Sequence, residues 1–568
     1  MKIKYLFYFV LISVLAASCN IRGGDDFPER VEADAKYVGQ AVGNFSADEW
    51  YPGGRLGTTD NVTAGCYEDP TPATEQQGLM TAFNNGQSSF ERNFTLNTEP
   101  FKGLGPAYVR TSCLDCHPGY GHGKRREVYR SENGNGYLLV VYHPADGANS
   151  DDGPYIAEVT GMPQTMASYP FKAPIEEEKI QLSWLPVTEM ESGLPMTFPD
   201  GEKYELIYPE LYIPQDAFNT DPKPENLAFR LESTIGVIGS GLLDAIPMED
   251  IREQYRQEAK FVELNPAFWD KDADDFAAGA WYGYSRLGAG NYADGSDAGP
   301  ETNLLKRFTY AMTRATLQDG PGANAIWNIT NVSRSDRPYL YTTAAWAEAM
   351  SKDEDVIKAI QADPESPYYM DGTAEKISEA VRALLDPGTN QFDNPYHNFA
   401  PEFSDDKYYN FLVWQRGLAI PRARNLNRKE VQRGKEMFTE IGCATCHRPS
   451  WKTGGDNYWA PASIGKRALP RYANQTIYPY SDMIQHRLYM KNGIHGSWCR
   501  TTPLWGRGLS KTNTGAEDRL HDDRARNVIE AIMWHAYSKK SEAYESTEKF
   551  YHLDKADRDA VVAFINSI

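Results

Sequence analysis

The 568-residue sequence predicts a mainly α fold of two domains, the first enlarged by a β-containing insertion. Two Cys-x-x-Cys-His motifs, at residues 113–117 and 443–447, mark one domain each. Amphipathic helical patterns flank the second motif, and short alternating segments between residues 137 and 213 indicate strands. The chain is also too long for one ordinary hydrophobic core.

Each motif has the contiguous pattern that attaches haem c. Two thiols form thioethers to the haem, and the adjacent histidine supplies a ligand to the iron. Two Cys-x-x-Cys pairs could instead build one zinc site. Zinc does not require a histidine directly after each pair, and more than 300 residues separate the pairs. The motifs therefore predict two haem c groups, held by Cys113, Cys116 and His117 and by Cys443, Cys446 and His447.

Residues 426–568 are predicted to form a C-terminal cytochrome c domain. Asn427 and Glu430 form a capping pattern for a helix that leads into Cys443, and Asp554 can cap a final helix. The two helices are expected to cross over the haem, with Gly434 allowing close approach and Phe438 packing against Phe564.

Residues 41–425 are predicted to form the first c-type cytochrome domain and its insertion. Strand patterns occur at Tyr137–Tyr142, Ile180–Leu185 and Tyr204–Tyr208. Helical patterns occur at residues 242–262, 303–318, 342–361 and 374–385.

The first nineteen residues have the form of a lipoprotein signal peptide. Lys2 and Lys4 precede an apolar run, and residues 15–19 resemble a lipobox ending at Cys19, the predicted lipidation site. An ordinary secretory signal is the alternative. We expect an exported periplasmic or outer-membrane lipoprotein, held to the membrane by its lipid alone, with residues 20–40 as a flexible tether.

The net charge of −20 argues against nucleic acid as a partner and favours solubility. Cys66 and Cys499 remain outside the motifs. In an oxidising compartment they could pair as a disulfide, or they could be buried free thiols. The sequence leaves both open.

Six ordered segments resemble the bacterial di-haem oxidoreductase family, whose members are described as peroxidases or thiol oxidoreductases. These segments are residues 103–117, 235–247, 443–447, 480–486, 500–506 and 521–535. The chain departs from the family pattern at Asp523, where glycine is usual, at Cys499, and in its longer β-containing excursion.

The resemblance implies a peroxidase-like oxidoreductase, remotely similar to di-haem cytochrome c peroxidases. Electrons from a redox partner protein would enter at the C-terminal haem, and a small oxidant such as hydrogen peroxide would be reduced at the N-terminal haem. A pure electron carrier and an oxidase acting on a protein or thiol are the alternatives. A calcium ion is also implied, although no clear binding loop is present.

The same resemblance implies that His535, fourteen residues after His521, is the distal ligand of the C-terminal haem. Its helical pattern places it on an apolar face, and Met490 and Met533 are alternatives. At the N-terminal haem the candidates are His122, His143 and His397, and without any of them the iron keeps an open position.

The catalytic acid-base residue is unknown from the sequence. Arginines suit haem propionates, and Arg500 is the first candidate, followed by Arg524 and Arg526. Trp281, Trp327 and Trp414 are candidates either for an electron relay or for ordinary packing.

Overall fold

The structure, a computed structural model, describes most of the chain beyond residue 33. The described residues are 34–95, 103–130, 134–144, 156–284, 302–315, 317, 325–334, 340–389, 401–456, 459–460, 464–465 and 467–568. Helices make up 34% of the structure and strands 14%, and the sheets are small, which confirms a mainly α protein.

The helices are short and follow one another along the whole described chain. They are α1 (Gly54–Gly57), α2 (Pro72–Gln76), α3 (Met80–Glu91), α4 (Ser240–Asp244), α5 (Met248–Glu258), α6 (Ala325–Thr330), α7 (Ala344–Lys352), α8 (Glu354–Gln361), α9 (Ala374–Leu385), α10 (Asp405–Arg416), α11 (Lys429–Glu440), α12 (Ser510–Thr514), α13 (Val528–Trp534), α14 (Tyr544–Tyr551) and α15 (Lys555–Ile565).

The longest strands, of six residues each, lie between residues 137 and 233, and shorter strands occur along the rest of the described chain. They are β1 (Thr58–Thr59), β2 (Ala107–Tyr108), β3 (Tyr137–Tyr142), β4 (Met166–Ala167), β5 (Gln181–Pro186), β6 (Ile207–Tyr212), β7 (Ala228–Ser233), β8 (Trp269–Asp270), β9 (Asp275–Phe276), β10 (Trp281–Tyr284), β11 (Thr302–Leu305), β12 (Ile420–Pro421), β13 (Trp451–Lys452), β14 (Thr476–Ile477), β15 (Gln485–Arg487) and β16 (Trp498–Arg500).

Two antiparallel ladders lie between residues 137 and 233. Strand β3 pairs with β7 from Tyr137 opposite Ser233, and β5 pairs with β6 from Gln181 opposite Tyr212. Strands β3 and β5 confirm two of the predicted strand patterns. The third predicted strand, Tyr204–Tyr208, begins three residues later in the structure, at Ile207.

The helices α11 and α15 cross in direct contact, as the sequence predicts. A Cβ atom on Gly434 would lie 1.9 Å from the Ala560 carbonyl oxygen, so only glycine allows this approach. The Phe438 and Phe564 rings pack with their centroids 5.2 Å apart. The Asp554 side chain accepts a hydrogen bond from the Asp557 backbone N–H, which caps α15.

The start of α11 differs from the prediction by one residue. Arg428, not Asn427, occupies the N-cap position, and no side chain caps the helix there. Tertiary packing therefore fixes the start of this helix, since Val431 and Phe438 are buried against α15 and its neighbours.

Three of the four helix predictions in the middle region need correction. Residues 303–318 were expected to be helical, but Thr302–Leu305 is strand β11, paired with β10, and turns follow it. Residues 342–361 form two helices because Asp353 caps a new one. Residues 242–262 are likewise divided, with Pro247 at the start of α5. The prediction for residues 374–385 is confirmed by α9.

The core around α11 and α15 draws on distant parts of the chain. Trp50, Phe198 and Tyr204 are buried in the same cluster as Phe438 and Phe564. The C-terminal segment therefore packs together with the N-terminal residues and the insertion. Within the described residues, no helix combines the length and the apolar character needed to cross a bilayer.

We expect Gly434→Ala to destabilise the protein by about 1–3 kcal/mol, the usual range for overpacking. Alanine stabilises a helix relative to glycine, so a loss of stability would have to come from the clash with Ala560. Denaturant unfolding of the haem-loaded protein measures the effect. Gly455→Ala is the control, because its Cβ would meet no atom within 4 Å. Equal stability of Gly434→Ala and the parent protein would contradict the packing described here.

Candidate haem-binding site

The C-terminal motif follows directly from the end of α11. Gly442 turns the chain with a φ of 98°, and Cys443 begins the motif. His447 is half-buried, and its Nδ1 lies 3.0 Å from the Tyr480 carbonyl oxygen. Because a carbonyl only accepts, Nδ1 carries the hydrogen and Nε2 keeps its lone pair. Burial lowers the pKa of His447 to about 4, which favours the neutral imidazole that a metal requires.

His535 has the same arrangement at the end of α13. Its Nδ1 lies 2.7 Å from the Ala531 carbonyl oxygen, so Nε2 is again the free nitrogen. Burial lowers its pKa below the ordinary value. The predicted inward face is confirmed, since Val528, Ala531, Ile532 and His535 all line one cavity.

This cavity has a volume of about 330 Å³ and is also lined by Cys443, Cys446 and His447. It extends to Gly121 and His122, which follow the N-terminal motif by a few residues. One continuous space therefore connects the surroundings of the two motifs. Met490, an alternative ligand, lines it as well, whereas Met533 is buried elsewhere.

Two buried arginines in the cavity wall have unused hydrogen-bonding capacity. The Nε atoms of Arg500 and Arg519 are buried and have no hydrogen-bond partner among the described residues. Burial lowers the pKa of Arg500 to about 10 and that of Arg519 to about 9. Such groups require anionic oxygens. The carboxylates of a haem would satisfy them, so these residues fit the predicted cofactor.

The N-terminal motif lies in a turn that its own side chains stabilise. The Ser112 hydroxyl accepts from the Leu114 N–H, and the Asp115 carboxylate accepts from the Ser112 N–H. His117 is half-buried, and desolvation lowers its pKa to about 4. This imidazole is therefore neutral, as a metal ligand must be.

An aromatic cluster packs beside His117. The Phe90 ring lies 6.1 Å from the His117 ring and 4.2 Å from the Trp414 ring, measured between centroids. Trp414 is completely buried, and it is the candidate tryptophan that the structure places near this motif. Trp281 packs on Phe276, and Trp327 on Tyr341, which is consistent with packing roles.

Of the two described candidates for a distal ligand at the N-terminal motif, His122 is buried and has a polar contact at each ring nitrogen. Its Nδ1 lies 2.8 Å from Asp523 Oδ1, and its Nε2 lies 2.7 Å from the Tyr310 hydroxyl. His143 is exposed, and its Nδ1 lies 3.0 Å from the Asn226 carbonyl. His397 lies outside the described residues.

The contact with His122 explains the departure at Asp523. This residue adopts a φ of 61°, in the left-handed region where glycine is favoured. Its carboxyl group is fully buried, which raises its pKa well above the ordinary value. An aspartate at this position strains the backbone, which glycine would not do, but its side chain contacts the buried His122.

Tyr310, which the sequence did not single out, connects the two sides of the cavity. Its side chain contacts His122, while its carbonyl accepts from the Arg500 N–H and from Gln485 Nε2. The pairing of β15 with β16 places Gln485 opposite Arg500. A tyrosine in a turn has no pattern that would have revealed this position.

The other arginine candidates are paired within the protein. Arg524 binds the buried Asp522, with Nη2 to Oδ2 at 2.7 Å, and Arg526 binds Glu530 at 2.8 Å. They are therefore poor candidates for binding propionates.

Cys66 and Cys499 are both buried and are not joined by a disulfide. Cys66 contacts Asn513, and the Cys499 sulfur lies 3.8 Å from His521 Nδ1. Of the two interpretations that the sequence left open, the structure therefore favours buried thiols over a disulfide.

A second polar cluster lies next to Cys446 and was missed by the sequence analysis. His486 contacts three carboxylates, those of Glu258, Asp482 and Glu542. Burial raises the pKa of Asp482 to about 7. Burial opposes charge on His486, but Cys446 and Asp482 raise its pKa well above the ordinary value. Asp482 and His486 lie in a segment that carried the family resemblance, but no pattern linked them to Glu258.

Comparison with known proteins agrees with this site. No curated protein matches the chain in sequence. A family model described as "Di-haem oxidoreductase, putative peroxidase" matches residues 388–568. This range includes the C-terminal motif, Arg500 and His535. The match supports the resemblance inferred from the sequence, and over residues 388–568 the chain is similar to the di-haem oxidoreductase family.

Proposed function

We propose that this protein is a peroxidase-like oxidoreductase carrying two haem c groups. One would be attached at Cys113 and Cys116, with His117 as its ligand, and the other at Cys443 and Cys446, with His447 as its ligand. We also propose, from the sequence alone, export as a lipoprotein anchored through Cys19. The proposal agrees with the oxidoreductase and peroxidase terms in the family's description.

A difference between the two motifs supports this function most strongly. His447 shares its cavity with His535, and each ring offers Nε2 after Nδ1 is bound to a backbone carbonyl. His117 has no such partner among the described candidate histidines, because His122 is engaged and His143 is exposed. An iron held by two histidines can take up single electrons, and an iron with a free coordination position can bind a small oxidant. An enzyme that reduces peroxide needs both.

When bound, the haem irons would supply the one-electron redox steps and the binding of peroxide. The chain's own residues hold and orient these groups. Tyr480 and Ala531 fix the ring orientation of His447 and His535, a constraint that raises the basicity of the ligand nitrogen. Arg500 and Arg519 would neutralise the propionates. Electrons from a partner protein would enter at the C-terminal motif, and peroxide would be reduced to water at the N-terminal motif.

Peroxide turnover tests the function directly. Purified haem-loaded protein should consume hydrogen peroxide at the expense of a reduced one-electron donor, two donor electrons per peroxide. His117→Ala should lower the rate to background, while the C-terminal haem remains attached through Cys443 and Cys446. His143→Ala, which changes an exposed histidine, should leave the rate unchanged.

A protein with both haems but no turnover would contradict the proposal and favour a pure electron carrier. Full turnover in His117→Ala would contradict the assignment of peroxide reduction to the N-terminal motif.

His535→Met tests the proposed distal ligand. Methionine raises the reduction potential of a haem relative to histidine, so the C-terminal haem should become easier to reduce. A spectroelectrochemical titration measures both potentials, and the N-terminal haem serves as the internal control. Unchanged potentials at both haems would show that His535 is not a ligand.

A further inference from the structure

The cluster beside Cys446 has the composition of a metal site that would use none of the residues proposed to hold haem. We propose that His486 Nε2, Asp482 Oδ2 and Glu258 Oε2 bind a divalent first-row transition ion such as Mn²⁺, Fe²⁺ or Zn²⁺. One imidazole nitrogen with two carboxylate oxygens suits these ions, and water would complete the coordination.

The distances around His486 Nε2 match a shared ligand set. Asp482 Oδ2 lies 2.8 Å from this nitrogen, and Glu258 Oε2 lies 3.3 Å from it. Bonds of about 2.1 Å to a common ion place neighbouring ligand atoms about 3.0–3.4 Å apart for right-angled to tetrahedral geometry. The ligand atoms of Cys446, Asp482 and His486 already lie within 4.8 Å of one another, and Glu258 would have to move toward Asp482 to complete the set.

Glu258 supplies an independent indication of a missing ligand. Its side chain is 8% exposed, and Oε2 makes no hydrogen bond among the described residues. Nε2 of His486 carries at most one hydrogen, which Asp482 accepts in the shorter contact. A buried carboxylate oxygen without a hydrogen-bond donor lowers stability. A cation in place of that single hydrogen would bind the carboxylates of both Asp482 and Glu258.

The remaining nitrogen of His486 is oriented as in known metal sites. Nδ1 lies 2.7 Å from Glu542 Oε2, so it donates its hydrogen to a carboxylate and leaves Nε2 for the ion. A carboxylate that orients a metal-bound histidine in this way strengthens binding.

Charge balance supports a cation rather than an empty cluster. Three carboxylates surround a single imidazole, and the side chains of all four residues are at most 13% exposed. Arg448 and Arg500 interact with Asp482 and offset part of this negative charge, and a bound cation would offset the remainder. A divalent ion would also connect α5, which carries Glu258, to the C-terminal segment that carries Asp482 and His486.

The metal content of the intact protein tests this site. The haem-loaded protein should contain one equivalent of non-haem metal, counted by mass spectrometry after subtracting the iron assigned to haem. Asp482→Asn and Glu258→Gln should lose this metal and keep both haems. Glu542→Gln should bind it about 10–100-fold more weakly, since Glu542 only orients the ligand. Glu530→Gln is the control, because Glu530 is equally buried but pairs with Arg526.

Retention of the metal in the Asp482 and Glu258 variants would overturn the assignment. So would a protein with two haems, no further metal, and no binding when titrated with Mn²⁺, Fe²⁺ or Zn²⁺. In that case the cluster would be held together by hydrogen bonds and would bind no metal. The count does not depend on peroxide turnover, so the metal site and the proposed function can fail separately.

Discussion

The hydrogen bond between His447 Nδ1 and the Tyr480 carbonyl determines which nitrogen of this imidazole faces the cavity. A backbone carbonyl can only accept, so the ring must present Nε2 as a lone-pair donor. The packing of α11 against α15 places the motif at this point, with Phe438 between His447 and Phe564. This fixed orientation leaves Nε2 of His447 available in the cavity that His535 also lines.

The interior of this protein is organised around polar groups that need partners. Arg500 and Arg519 face the cavity with unpaired Nε atoms, and His486 faces three carboxylates. Buried charges of this kind lower stability unless they are compensated. Their persistence in a well-packed core is best explained by ligands that complete them. The fold therefore positions these polar groups through contacts within the chain alone.

Local patterns predicted the parts of the structure that depend on local sequence. The motifs, Gly434, the Asp554 cap and the inward face of α13 follow from spacing of a few residues. The contacts of Tyr310 and Glu258 could not be predicted, because their partners are more than 180 residues away in sequence. The helix expected at residues 303–318 failed for a related reason: pairing with β10 overrides local preference in the first three of these residues.

Two closed irons would make this protein a carrier, whereas one open iron allows chemistry on a small oxidant. Electron paramagnetic resonance of the haem-loaded protein, fully oxidised and half-reduced, distinguishes these states most directly. The proposed asymmetry between His117 and the His447–His535 pair predicts a high-spin signal from one haem in at least one of the two states. Low-spin signals from both haems in both states would contradict an open site and leave electron transfer as the function.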